Sequence, residues 1–225
     1  MAMAQSSAEL RPKQALLAEL ESEHYPDRLR AQESLKEWAA QHGDAAYPWL
    51  WQQSQSEGSP EVAMRSYEVL KDLVIEALRE KRPGYVGITM IEDKFQKDGT
   101  ELFGVRIRAV QADSPADHSG LRVGDLIFEI NGESWSKSGA QDRFAEKVGA
   151  MGVGAKVTLK VLRGNEVKEF ELELMARPWI AGEYGQGNFR LFGMDGNDFP
   201  QSEKEAADRA FEAWLEKNVE SLNRG

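Results

Sequence analysis

Hydrophobic positions change their period twice along the chain. Residues 9–80 show no strand-like alternation. Ala15, Leu16, Ala18 and Leu20 open a helical run, and Leu29, Ala31, Leu35, Trp38 and Ala39 form a helical stripe between Asp27 and Gln41. Tyr47, Leu50 and Trp51 predict a short third helix. After a break at Gly58, Ser59-Pro60-Glu61 reads as a helix start, with Ser as N-cap, Pro at the first position and an acid in the first turn. Val62, Tyr67, Val69, Leu70, Leu73, Val74 and Leu78 continue that helix. From residue 83 to 175 the pattern becomes strand-like. It predicts strands over 86–91, 103–110, 125–130, 156–162 and 167–174, with one helix between Gly139 and Met151. Asn131-Gly132 and Arg163-Gly164-Asn165 are hairpin turns by composition. Residues 178–200 combine Gly with Trp179, Tyr184, Phe189, Phe192 and Phe199, which predicts a strap lying on another surface. Ser202 is expected to cap a final helix with Ala207, Ala210, Phe211, Trp214, Leu215, Val219 and Leu222 on one face.

The expected class is therefore α+β, with three segments: helices over 1–80, a small partly open β-barrel over 81–178, and a strap plus C-terminal amphipathic helix over 179–225. Within the helical segment, Arg30-Ala31-x-Glu33-x-Leu35-Lys36-Glu37 recurs as Arg65-Ser66-x-Glu68-x-Leu70-Lys71-Asp72, 35 residues later. This echo resembles the second helices of HEAT-like hairpin repeats, which stack on neighbours because one hairpin cannot bury its own apolar face. Chance agreement between two Glu/Lys-rich amphipathic helices is the alternative.

Composition narrows the chemistry. The chain has 225 residues, no Cys, three His and a net charge of −10. Residues 1–80 hold eight basic against fourteen acidic residues, 81–178 hold fifteen of each, and 179–225 hold five against nine. The negative charge thus lies in the flanks. Without Cys there is no disulfide, thiol nucleophile or Cys-ligated zinc. His24, His42 and His118 are far apart in sequence. An acidic balance argues against nucleic acid as the main partner, and no apolar run reaches the length of a membrane span. No cofactor or metal is expected. Ala2-Met3-Ala4-Gln5 reads either as the small-residue end of a removed export signal, which would favour a periplasmic or cell-envelope location, or as a simple helix lead-in.

The central segment contains Ser114-Pro115-Ala116-x-x-Ser119-Gly120-Leu121-x-x-Gly124-Asp125-x-Ile127-x-x-Ile130-Asn131-Gly132. Upstream stands Tyr85-Val86-Gly87-Ile88; downstream stands Val148-Gly149-Ala150-Met151-x-x-Gly154-x-Lys156-Val157-Thr158-Leu159. These motifs, in this order, resemble bacterial PDZ domains of the high-temperature-requirement protease type over about residues 83–176. Most of them have structural work: Ser114 can cap a short helix that Pro115 begins, Gly120 and Gly124 let the chain reverse, and Asp125 can satisfy loop amides.

The resemblance implies a groove between one strand and one helix, filled by an extended peptide that adds as a further strand. It implies that the N–H groups of Val86, Gly87 and Ile88 cradle a terminal carboxylate, with Ile88, Thr89 and Met90 pairing with the peptide and Tyr85 shaping the rim. The helix after Asn131-Gly132 supplies the opposite wall: Gln141 and Ala145 face the groove, and Phe144 and Val148 pack beneath it or line it. Arg82 is a candidate second contact for the carboxylate.

Other chemistry is thin. No Gly-x-Ser-x-Gly elbow or His-Glu-x-x-His occurs, and the three segments account for the given chain without a protease domain. Ser136, Lys137 and Ser138 read as a polar turn before a helix. Asp195, Asn197 and Asp198 hint at calcium ligands without a full set. Arg106 and Arg108 share a strand face, as solvated cations or as a phosphate site. The expected function is a non-enzymatic module that binds protein or peptide C-termini, or extended segments, as adaptor or regulator. The alternative is a scaffold whose groove is covered by its own chain and whose helices bind the partner.

Overall fold

The computed structural model describes residues 13–97, 99–182 and 199–224. The signal-like Ala2–Gln5 stretch, the three oxygen-bearing residues Asp195, Asn197 and Asp198, and the strap aromatics Tyr184, Phe189 and Phe192 lie outside them, as does the Phe199 side chain. Two units divide the chain: Met1–Ala77 with Ala207–Gly225, and Leu78–Ala206. The division at 206/207 falls inside the expected 179–225 segment.

The first unit is helical. Residues 13–20 form α1, followed by α2 (Tyr25–His42), a 3-10 turn (Gly43–Ala46), α3 (Tyr47–Ser54) and α4 (Pro60–Glu80). The Val62 N–H donates to Ser59 Oγ at 3.4 Å, the expected cap at the start of α4. Leu20, Leu35, Leu50, Leu70 and Phe211 are buried, but the expected stripes are narrower than predicted: Leu29 of α2 is 44% exposed, and Ala15 and Ala18 of α1 face solvent. Polar cross-links show how α2 and α4 run. Arg28 pairs with Glu61 at 2.8 Å, Gln32 with Glu68 at 3.2 Å, and Lys36 with Asp72 and Glu76 at 3.4 and 3.0 Å. Partner numbers rise together, so the two helices are parallel. Their offset, 33 to 40 positions, brackets the sequence echo.

The last helix, α7 (Phe199–Leu222), starts three residues before the expected Ser202 cap. Pro200 explains this: its missing N–H and fixed φ suit the first helical turn, so the helix begins ahead of Ser202. Within the first unit, Phe211 meets Tyr67 edge-on at 5.6 Å, Trp214 meets Tyr47 at 5.6 Å, and Trp51 Nε1 donates to Asn223 Oδ1 at 2.8 Å.

The second unit is built on a six-stranded antiparallel sheet. Its path is β2 (Ile88–Lys97), β3 (Thr100–Val110), β4 (Leu126–Ile130), β6 (Lys156–Arg163) and β7 (Glu166–Glu173), with β5 (Glu133–Ser134) hanging on β4. A separate two-stranded pair joins β1 (Gly84–Tyr85) to β8 (Met175–Ala176). Two short helices lie among them, α5 (Pro115–His118) and α6 (Ala140–Met151), and a 3-10 turn (Trp179–Gly182) follows β8. Positive φ at Asn131 (49°) and Gly132 (82°) makes the β4–β5 link the tight turn that dipeptide predicts. Val105, Ile107, Ile127, Ile130, Phe144, Val148, Leu159 and Leu172 belong to one buried cluster.

Two strand limits correct the sequence reading. The strand expected over 86–91 starts only at Ile88, because Gly87 has φ +89° and breaks the extended chain. It then runs on to Lys97, and its partner begins at Thr100 rather than 103. The polar run 92–102 has no apolar alternation to betray a strand. The Asp98-Gly99 pair was its turn signal.

Candidate functional site

The site begins at the link between β1 and β2. Gly87 fits there for two reasons: its φ of +89°, and the fact that a Cβ would lie 2.1 Å from Ser114 Cβ. Ser114 is itself buried; its hydroxyl donates to Gln111 O at 2.7 Å and accepts from the Asp117 N–H at 3.3 Å, capping α5. The loop carbonyls point into the body of the unit. Val86 O accepts from the Ala116 N–H and Gly87 O from the Gln111 N–H, each at 2.9 Å. Among the described residues the Val86 and Gly87 N–H groups meet no acceptor. Tyr85 stands at the start of this loop and hydrogen bonds to Gln111 Oε1 at 3.1 Å. Burial pushes its phenol up to about 12, so it stays neutral and can donate.

β2 is the end strand of the sheet path, so among the described residues one of its edges has no strand neighbour. Two hydrogen bonds fix which groups face that edge. Gly87 O is used by the Gln111 N–H, immediately after β3, so the main chain at 87 faces β3. The Glu92 N–H is used by Gln141 Oε1 at 3.2 Å, so the main chain at 92 faces α6. Backbone groups alternate along a strand. The register shift at Thr89/Met90 skips Arg108 on the β3 side, which leaves the alternation of β2 intact. Ile88 and Met90 therefore present their N–H and C=O groups to the same edge as Glu92. Their side chains are half-buried against the core cluster that holds Phe144 and Val148.

On the facing helix, Phe144 and Val148 are 2% and 5% exposed, so they support this edge from below. Ala145 is half-buried beside them, and Gln141, one turn earlier, reaches across to β2. Glu92 reaches back. Its carboxylate accepts from Ser138 Oγ at 2.6 Å and from the N–H groups of Gly139 and Ala140 at 2.5 and 2.6 Å, at the N-terminus of α6. The Ser138 hydroxyl, with those two amides, holds the Glu92 carboxyl below the usual carboxylate range.

Glu92 and Gln111 escaped the sequence reading. A lone Glu on a polar strand looks solvated, and no spacing ties it to a helix 47 residues on.

Several other sequence candidates are engaged elsewhere. Arg82 donates to Arg177 O and Pro178 O at 2.5 and 2.9 Å and lies 4.1 Å over the Trp179 ring, so it anchors the chain leaving β8 and does not serve the loop. The Trp179 and Ile180 N–H groups donate to the Glu203 carboxylate at 3.0 and 3.2 Å. Arg106 pairs with Asp93 and donates to Gly124 O. Asp125, 2% exposed, accepts from the Arg122 N–H at 2.9 Å, as expected of a loop-amide partner, and pairs with Arg163 Nε and Nη2 at 2.8 and 2.7 Å. Among the described residues no cluster of His, Cys, Asp and Glu could hold a metal, and no helix is long and apolar enough to cross a membrane. A separate cavity of about 810 Å³, bordered by His118, Leu172, Leu174, Arg177 and Glu203 among others, contains none of the groove residues.

Comparison with known proteins points to the same segment. The family model described as PDZ domain matches residues 84–174. A probable periplasmic serine endoprotease DegP-like of Pseudomonas fluorescens is 35% identical over 101 residues, 42% of this chain and 20% of that protein. A serine protease Do-like HtrB of Bacillus subtilis is 29% identical over 118 residues, 48% of this chain and 25% of that one. The chain thus spans about a fifth to a quarter of the length of these relatives. Among solved structures, the HtrA-type protease AlgW with a decapeptide aligns at TM-score 0.36 and 22% identity, covering 50% of this chain and 35% of that one. The HtrA3 PDZ domain bound to a phage-derived ligand aligns at TM-score 0.31 and 19% identity, covering 42% and 86%. The chain carries a PDZ domain at residues 84–174.

Proposed function

We propose that the chain is a non-catalytic adaptor or regulator whose PDZ domain binds protein C-termini by strand addition along β2. The observation that carries this is the edge of β2 that no described strand covers, with the main chain of Ile88 and Met90 turned outward directly after a loop whose carbonyls are spent internally. An extended peptide pairs with that edge, and its terminal carboxylate accepts from the Val86, Gly87 and Ile88 N–H groups. Half-buried Ile88 and Met90, over Phe144 and Val148, suit an apolar terminal side chain. Tyr85 forms the rim, Thr89 lies on the paired stretch, and Gln141 and Ala145 form the far wall. The polar turn at 136–138 supports a non-catalytic reading: the Ser138 hydroxyl is given to Glu92, and the Lys137 and Ser138 carbonyls accept from Arg143. The helical unit is read as HEAT-like hairpins, supported by the parallel α2–α4 pairing at the offset of the sequence echo.

An array of random heptapeptides with free C-termini, probed with the full chain, tests this. Selected binders are expected to lose at least about tenfold in affinity when amidated, since a carboxylate held by several N–H donors is a charge-assisted contact of about 1.5–3 kcal/mol. Gly87→Ala is expected to abolish binding and to cost more stability than the about 1–3 kcal/mol of positive φ alone, because its Cβ also overlaps Ser114. Equal binding of amidated and free peptides would overturn the carboxylate site.

A further inference from the structure

The edge of β2 that would receive a peptide is not free along its whole length. Moving away from the Gly87 loop, the outward-facing positions are Ile88, Met90 and Glu92. At Glu92 the main-chain N–H already donates to Gln141 Oε1 from α6, at 3.2 Å. The Glu92 carboxylate binds the opposite way, to Ser138 Oγ, the Gly139 N–H and the Ala140 N–H. Strand and helix are therefore stapled twice at this point, once through the backbone of Glu92 and once through its side chain. Both staples use groups from Ser138 to Gln141, the mouth of α6 farthest from the Gly87 loop.

We infer that this Glu92–Gln141 latch closes the far end of the groove and sets the length of the bound segment. The inference rests on the peptide-binding reading above. A ligand anchored by its carboxylate pairs with Ile88 and Met90. Successive outward positions on a strand lie two residues apart, so those two pairings consume about the last three or four residues of an antiparallel peptide. The next pairing would need the Glu92 N–H, which Gln141 occupies. A ligand residue competing there must displace a hydrogen bond already made and gains nothing net. Residues further from the C-terminus are turned off the strand and left in solvent. The stretch of ligand that pairs with β2 is thus short, and it is the carboxylate loop at Gly87, not the latch, that selects a free C-terminus. Gln141 acts as a length-determining residue through the amide it holds, and Glu92 positions α6 to keep it there.

The first test needs no ligand. Amide hydrogen exchange of the full chain, followed by NMR, compares Met90 and Glu92. Both amides face the same edge, but among the described residues only Glu92 has an acceptor. Glu92 is expected to exchange at least about tenfold more slowly than Met90, and to lose that protection in Gln141→Met, which keeps the side-chain length and removes the oxygen acceptor. Equal exchange rates in the unaltered chain would overturn the latch. The second test trims the best free-carboxylate heptapeptide from the array one residue at a time from its N-terminus. Affinity is expected to change less than about twofold from seven residues to four and to collapse below three. In Gln141→Met the seven-residue form is expected to bind several-fold more tightly than the four-residue form. Affinity that keeps rising beyond four residues in the unaltered chain would overturn the length limit while leaving the groove intact. Failure of every heptapeptide to bind would overturn the groove reading itself, and the exchange measurement would still report on the latch.

Discussion

Gly87 and Glu92 bound the proposed binding stretch of β2, and each is held by a different kind of constraint. At Gly87 it is steric: positive φ and a Ser114 Cβ 2.1 Å from where a side chain would begin. At Glu92 it is electrostatic: an exposed-looking acid whose carboxylate caps α6. Its carboxyl is held below the ordinary range in the folded chain, so the unfolded state binds the proton more readily. The sign follows from linkage. Glu92 contributes stability that is fully present above its unfolded value of about 4.3 and is lost as pH falls through the lower folded value. Glu92→Gln is therefore expected to destabilise the chain at neutral pH, with a gap to the parent that closes as pH falls below about 4. Denaturant unfolding of both proteins at pH 7 and at pH 3 to 4 checks this. A gap independent of pH would show that Glu92 acts through packing rather than charge. Asp93, lowered first by its hydrogen bond from Arg106, is common to both proteins.

Elements show which forces order the fold. Along the α2–α4 seam, Leu35 is buried and Lys36 beside it bridges Asp72 and Glu76. Leu35→Ala is expected to cost about 2–5 kcal/mol, because it leaves a cavity in a packed helix interface. Lys36→Ala is expected to cost under about 1 kcal/mol, since the Lys36 side chain is 30% exposed and both acids are more than half exposed. Thermal unfolding followed by circular dichroism ranks the two, and a larger loss for Lys36→Ala would mean that the ion pairs, not the stripe, hold the helices together. The same ranking explains what could be read from sequence. Periodic apolar stripes such as Leu29–Ala39 and 156–162 announce α2 and β6. Turn chemistry announces the β4–β5 hairpin through Asn131-Gly132. The outer halves of β2 and β3 stayed hidden because 92–102 alternates nothing apolar. The positive-φ turn at Gly87 and the place of Gln141 on the β2 side of α6 were legible because glycine and helix period restrict them. The Glu92 latch was not, since it joins residues 47 apart through groups that any polar surface supplies. Arg82 was misplaced for a related reason: its partners are backbone carbonyls at 177 and 178, and sequence carries no trace of carbonyl positions.

Across the whole molecule, the chain's final helix matters to the helical unit through residues that sequence already placed on one face. Phe211 is 1% exposed, edge-on to Tyr67 and stacked with Trp214 at 6.1 Å, while Lys71 pairs with Asp208 at 2.8 Å. Residues 208–223 thus meet residues 47–71, although more than 125 residues of sequence separate them. Truncating Phe211 removes a large ring from a filled interior, at about 3–5 kcal/mol, a major share of the roughly 5–15 kcal/mol that holds a domain folded. Phe211→Ala is therefore expected to lower the midpoint of the helical transition by on the order of 15 °C. Residues 84–174 have their own core, with Ile107, Ile127, Phe144 and Leu159 all buried within it. Peptide affinity measured below the lowered transition is accordingly expected to stay within about twofold of the parent. Calorimetry and peptide titration on the same samples decide the matter. A separated low-temperature transition with intact binding fits two energetically distinct units, one stabilised from both ends of the chain. One transition that shifts as a whole, with binding lost in step, would mean that the groove draws its stability from the helices as well.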